Sequence, residues 1–148
     1  MSRAWMTEVS FHFNVPDRAH YACRLLRKVT RQGRTVVVTG PAQMLAGLDR
    51  ALWSFEPLEF LPHVYLRPGA TPADRLRGTP IWLMENAADA PHHDVLVNLG
   101  AQAPEGFESF ARLVEIVSSQ EAERADARLR WKHYASRGYA IQKHEVGE

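Results

Sequence analysis

The sequence predicts a three-layer α/β/α domain with a mainly parallel sheet of about five strands. Short β-branched or aliphatic runs alternate along the chain with segments of helical apolar spacing, and glycine or proline marks most of the boundaries between them. Strands that alternate with helices need right-handed crossovers, which set neighbouring strands parallel and put helices on the sheet faces. A chain of 148 residues suffices for one such domain, residues 1–148, and shows no repeat, low-complexity tract or linker.

The first strand is expected over Glu8 to Phe13, where Val9, Phe11 and Phe13 alternate with Ser10 and His12. Asn14-Val15-Pro16-Asp17 then reads as a helix start, with Asn14 or Asp17 able to cap it. Ala19, Ala22, Cys23, Leu26 and Val29 follow at helical spacing, and Gly33 stops the helix. Thr35 to Thr39 is a β-branched run with little alternation, as suits a strand buried on both faces. Gly40-Pro41 turns the chain into a second helix, Ala42 to Leu52, carrying Met44, Leu45, Leu48 and Leu52.

Trp53 to Thr79, which contains Pro57, Pro62, Pro68 and Pro72, reads as a long irregular connection of the kind that often serves function. Ile81 to Met84 and Val95 to Leu99 are two more buried strands. Phe107 to Ala111 suits a short helix and Leu113 to Val117 a further strand. A final helix is expected from about Gln120 to Ser136 and ends at Gly138, leaving Tyr139-Ala140-Ile141 as a candidate edge strand.

A hydrophobic fraction of 45% and a charged fraction of 24% are those of ordinary globular proteins. No run reaches the roughly 18 apolar residues that span a bilayer. Met1 to Phe13 alternates apolar with polar residues and lacks the pattern of a signal peptide. A lone cysteine, Cys23, excludes an intramolecular disulfide, so a reducing, cytoplasmic location is the simplest expectation. The net charge is only +1, but Arg124, Arg128, Arg130, Lys132 and Arg137 are opposed between those ends by Asp126 alone. The expectation is one basic segment on a nearly neutral protein.

Parallel sheets commonly bind nucleotides, but Thr39-Gly40-Pro41-Ala42-Gln43 has neither dinucleotide-site glycine spacing nor the lysine and hydroxyl of a phosphate loop. Pro41 also lacks an amide N–H for a phosphate. The seven histidines form no metal-ligand motif, and His92 and His93, being adjacent, point to opposite faces of an extended segment. Only folding could bring His63 near His92. Cys23 lies on the apolar stripe of the first helix, where a buried structural thiol is usual. Ser109 is not in a nucleophile elbow, and Glu56, Glu59, Asp89 and Asp94 show no pairing pattern. No catalytic residue, cofactor or metal site is assigned.

On the final helix Arg124, Arg128 and Lys132 share one stripe at i, i+4 and i+8, with Ala127, Trp131 and Tyr134 on the adjoining one. Two readings stand. In one, the rings are core and the cations a solvated face. In the other, an arginine grips the terminal carboxylate of an acidic peptide while the apolar strip receives its last side chain. A single-stranded nucleic acid could use the same mixture, though one short row and a pI near 8 favour it less. A second candidate surface follows Leu48-Asp49-Arg50-Ala51-Leu52-Trp53, at Phe60-Leu61-Pro62-His63. There, core for Trp53 and interface for Phe60 is the preferred division.

Taken in order, Leu48-Asp49-x-Ala51-Leu52-Trp53, Phe60-Leu61-Pro62-His63, Asp94-Val95-Leu96-Val97-Asn98-Leu99 and Ala127-Arg128-x-Arg130-Trp131-Lys132-x-Tyr134-x-x-x-Gly138-Tyr139 resemble the chi subunit of bacterial DNA polymerase III holoenzyme. The resemblance covers nearly the whole chain, except that Val64 to Thr79 has no counterpart in the family pattern. It implies a non-catalytic, cofactor-free accessory of the clamp-loader assembly. Such a subunit pairs with the psi subunit and binds the acidic C-terminal tail of single-stranded-DNA-binding protein during DNA replication.

Carried over, the tail site falls on Arg128, with Trp131, Lys132, Tyr134, Gly138 and Val117 close by and Arg124 joining from the cation row. Psi contact falls on Phe60, Leu61, Pro62 and His63, with a helicase as the other occupant of that surface. No membrane is implied, and nucleic acid is reached only indirectly. The competing readings are a small nucleotide-binding α/β enzyme and a direct single-stranded nucleic acid binder.

Overall fold

A computed structural model describes residues 6–55 and 60–146. The first five residues of the N-terminal segment, together with Glu56, Pro57 and Glu59, lie outside them. Among the described residues seven parallel strands form one sheet in the order β3-β4-β2-β5-β6-β1-β7. The strands are β1 (Glu8–Val15), β2 (Val36–Thr39), β3 (His63–Leu66), β4 (Ile81–Met84), β5 (Val95–Asn98), β6 (Arg112–Ser118) and β7 (Ile141–Glu145). Helices α1 (Arg18–Arg31) and α2 (Ala42–Ser54) cover one face, and α3 (Glu121–Ser136) covers the other. The three-layer parallel architecture is as the sequence predicts, with seven strands in place of about five.

The two additional strands lie at the sheet edges, where apolar patterning is weakest. β3 arises inside the stretch expected to be irregular, and all four of its residues are only half-buried. β7 is Ile141–Glu145 rather than Tyr139 to Ile141, and four of its five residues are polar and exposed. The central strands β2, β4 and β5 are buried throughout. Their successive residues alternate between two cores: Val36, Val38, Ile81, Leu83, Val95 and Val97 face α1 and α2, whereas Val37, Trp82, Met84 and Leu96 face α3.

Helix α1 buries Ala22, Cys23, Leu26 and Val29 and is capped by Asp17, whose carboxylate accepts from the His20 amide at 3.1 Å. Asn14 does not cap it. β1 runs two residues beyond Phe13, and Asn14 takes a left-handed φ of 63° where the β1–β6 register shifts. That kink turns Val15 into the α1/α2 core although Phe11 packs on the α3 side. Phe107 opens a single 3-10 turn, Phe107–Ser109, in place of the short helix expected there. Gly138, at φ 86°, reverses the chain after α3 and seats Tyr139 back in the α3-side core, so that β7 is laid beside β1.

Candidate functional site

Helix α3 presents three different surfaces. Its inner face buries Ala127, Arg130 and Tyr134 against β6. Alternation on β6 sends Leu113 and Val117 into the same core, and with them Glu115, which is fully buried. Arg130 Nε meets Glu115 Oε1 at 3.0 Å, Tyr134 donates its hydroxyl to Oε2 at 2.6 Å, and the Asn98 amide reaches both oxygens at 3.0 and 3.2 Å. Arg130 also donates to the Ala101 carbonyl at 2.8 Å. Burial pushes the Glu115 carboxyl above the usual range, against the pull of Arg130, Tyr134 and Asn98. Burial and the Glu115 charge also raise the Tyr134 phenol.

The expected basic segment is corrected by this network. Arg130, only 6% exposed, spends its charge inside the molecule and takes no part in the basic surface. Tyr134 and Val117 are core residues as well, at 0% and 1% exposure, so they support the binding face from beneath rather than line it.

The outer edge of α3 carries the site. Arg124 and Arg128 stand across a groove of about 330 Å3 from Lys143 of β7, with Phe13 and Asn14 of β1 and Glu145 completing its walls. The half-buried Trp131 lies against Phe11 and Phe13 at ring-centroid distances of 5.1 and 6.2 Å, and Phe13 stacks on Phe11 at 5.5 Å. A strip of three rings therefore runs beside three cations, which joins the two alternative readings of this helix. Lys132 is exposed on the same helix, and Gly138 lies exposed in the turn beyond it.

Arg128 donates to Glu121 at 2.7 Å, and this hydrogen bond holds the Glu121 carboxyl below its usual range. Both side chains are largely exposed, so the pair is weak and another carboxylate can displace Glu121. Lys143 lies 5.7 Å from the Phe13 ring centroid and 3.3 Å from Glu145. Lys143 and Phe13 were not singled out from the sequence. Only the β1–β7 pairing, which sets Phe11 opposite Lys143, brings the lysine to α3.

A second surface forms where α2 ends. Trp53 is 60% exposed, not core, and its ring lies 5.7 Å from that of Phe60, which is 67% exposed. Leu61 is buried, and the His63 side chain is only 1% exposed. The His63 ring sits between Asp49 at 3.1 Å and the Leu61 carbonyl at 2.8 Å and backs Trp53 at 4.6 Å. Of the four residues expected here, Phe60 and Pro62 are at the surface, while Leu61 and His63 hold the platform.

The place where a parallel sheet ordinarily receives a nucleotide is the crevice between β2 and β5, from which the chain departs in opposite directions. Here Gly40 packs so near Leu99 that a Cβ on it would lie 3.2 Å from the Leu99 Cβ. Arg18 fills the adjoining space, donating to the Leu99 carbonyl at 3.0 Å and pairing with Glu123 at 3.2 Å. Cys23 is fully buried, and burial pushes its thiol up to about 11, far from a reactive thiolate. Among the described residues no group of three His, Cys, Asp or Glu side chains is placed to hold a metal, and no helix is long and apolar enough to cross a membrane.

Comparison with known proteins agrees with the fold and with the motifs. Residues 6–142 match the family model described as DNA polymerase III chi subunit, HolC. DNA polymerase III subunit chi of Pseudomonas aeruginosa is 32% identical over 147 residues, covering 95% of this chain and 98% of the relative. The subunit chi of Haemophilus influenzae is 30% identical over 130 residues, covering 85% of each. The chain belongs to the DNA polymerase III chi subunit family.

Proposed function

We propose that this chi-family protein is a non-catalytic adaptor of the cytoplasmic replication machinery, joining the polymerase assembly to the acidic C-terminal tail of single-stranded-DNA-binding protein. The observation that carries the reading is the groove in which Arg124, Arg128 and Lys143 stand beside Phe13 and Trp131. The cations suit a terminal carboxylate and its acidic neighbours, and the rings suit an apolar last side chain. Arg128 is the anchor, exchanging Glu121 for the peptide carboxylate. Lys132 and Arg124 extend the field along α3.

The Trp53–Phe60 pair is the docking point for the psi subunit, because two adjacent exposed rings on a hydrogen-bonded platform make a rigid aromatic anchor. A helicase is the other candidate partner for the same rings. Calorimetric titration with a synthetic acidic peptide ending in Phe tests the tail assignment. Arg128→Ala is expected to lose on the order of 1.5–3 kcal/mol, about ten- to a hundredfold in affinity. Equal affinity for both proteins removes the anchor from the account.

A further inference from the structure

Helix α1 carries a charge distribution that tail binding does not use. From Arg18 to Arg34 the sequence has six basic residues and no carboxylate, and the next acidic residue is Asp49. Arg24, Arg27, Lys28 and Arg31 occupy i, i+3, i+4 and i+7, so they form one continuous face directed away from the Ala22, Cys23, Leu26 and Val29 stripe. Like charges at these spacings repel, so the fold gains nothing from the row itself. Arg24 and Arg27 do lie against the Tyr21 and Phe55 rings at 5.6 and 5.0 Å. Such stacking engages the face of a guanidinium, whereas its N–H donors lie in its plane.

The row walls a groove of about 610 Å3 between α1 and β1, closed on the other side by His12 and Tyr21. Among the described residues no carboxylate lines it. His144 of β7 adjoins His12 at 4.7 Å, so the groove reaches the sheet edge that the α3 site borders from the opposite face. An acidic peptide with an apolar terminus finds no counterpart here to the Phe13–Trp131 strip, because the Tyr21 hydroxyl is bonded to His12 and Leu25 is the one aliphatic side chain lining the groove among the described residues. A row of same-sign charges about 10 Å long along the helix axis instead matches an anion that repeats along a backbone.

We infer that the outward face of α1 is a second, independent binding surface, which takes the phosphate backbone of a single-stranded nucleic acid without reading its bases. The protein would then touch the strand directly as well as the protein that coats it.

Fluorescence anisotropy with a labelled oligothymidylate of about 20 nucleotides, at about 50 mM salt, tests this with the full chain. Binding is expected to weaken with salt, and Arg24→Gln/Lys28→Gln is expected to lose about tenfold in affinity and to lower the log–log salt slope by about 1.4, for two phosphate contacts. Arg24→Lys/Lys28→Arg, which keeps the charge, is expected to restore binding, and circular dichroism checks that each variant is folded. No binding by the wild type overturns the inference. So does loss of binding in Arg124→Gln/Arg128→Gln with none in the α1 variant. Competition by polyglutamate as strong as by unlabelled oligothymidylate overturns the nucleic acid assignment. The acidic Phe-ended peptide is expected to bind the α1 variant as it binds the wild type, so failure here is distinct from failure of the tail site.

Discussion

Arg130→Met is the most informative single perturbation of the fold. Arg130 is 6% exposed and its partner Glu115 is fully buried, so the substitution deletes a 3.0 Å ion pair and the 2.8 Å bond to the Ala101 carbonyl, leaving the carboxylate in the core with only Tyr134 and Asn98. Removing one member of a buried pair costs about 3–5 kcal/mol. With a urea m-value of about 2 kcal/mol/M, the unfolding midpoint falls by roughly 1.5–2.5 M. Lys132→Met, two residues away on the exposed face, is expected to stay within about 0.5 kcal/mol of the wild type.

A pH arm adds a sign to the Arg130 prediction. Without Arg130 the Glu115 carboxyl rises further above its unfolded value, so the folded state holds a proton that the unfolded state releases as pH rises. The deficit of Arg130→Met is therefore larger at pH 7 than at pH 5. Glu115→Gln/Arg130→Met, which buries no charge, is expected to recover most of the loss. If Arg130→Met unfolds within about 1 kcal/mol of the wild type, the buried pair is not what holds α3 to the sheet.

Two further predictions concern the edge of the sheet. Burial, then His144 and Lys28, depress the His12 imidazole to about 4. Its unfolded form takes up a proton near pH 6.5 and its folded form does not, so stability contributed by neutral His12 is lost as pH falls from about 6.5 to 4. Because the ring is partly solvated the loss is roughly 1–2 kcal/mol, and His12→Gln should flatten that part of a urea-unfolding pH profile. Gly138 sits at φ 86° with nothing within 4 Å of a built Cβ, so Gly138→Ala carries backbone strain alone. A cost of about 1–2 kcal/mol is expected, seen as a fall in the melting temperature of about 3–6 °C, and an unchanged temperature would mean that the turn adopts another conformation freely.

The sequence was most legible where one physical pattern dominated. β4 was bounded correctly because Ile81 to Met84 is apolar on both faces, and α1 because its apolar spacing, its Asp17 cap and Gly33 agree. β3 and β7 were missed or misplaced because an edge strand need not alternate and depends on its neighbour for hydrogen bonds. The basic face of α3 was visible as a helical stripe, but helical spacing could not reveal that Arg130 turns inward to Glu115, since one buried carboxylate inside an apolar strand leaves no periodic signal. Lys143 is likewise invisible to local reading, because only the β1–β7 pairing carries it to Arg124 and Arg128. The α1 cations were equally plain as a charge run, yet went unremarked beside the apolar stripe that fixed the helix.

The most direct test is nuclear magnetic resonance of the labelled protein titrated with an acidic peptide whose last residue is Phe. The account predicts saturable shifts confined to Phe13, Arg124, Arg128, Trp131 and Lys143, absent when the peptide is amidated and lacks its terminal Phe. Shifts centred on the Trp53–Phe60 rings or on α1, with the Phe13–Arg128 groove silent, would contradict it.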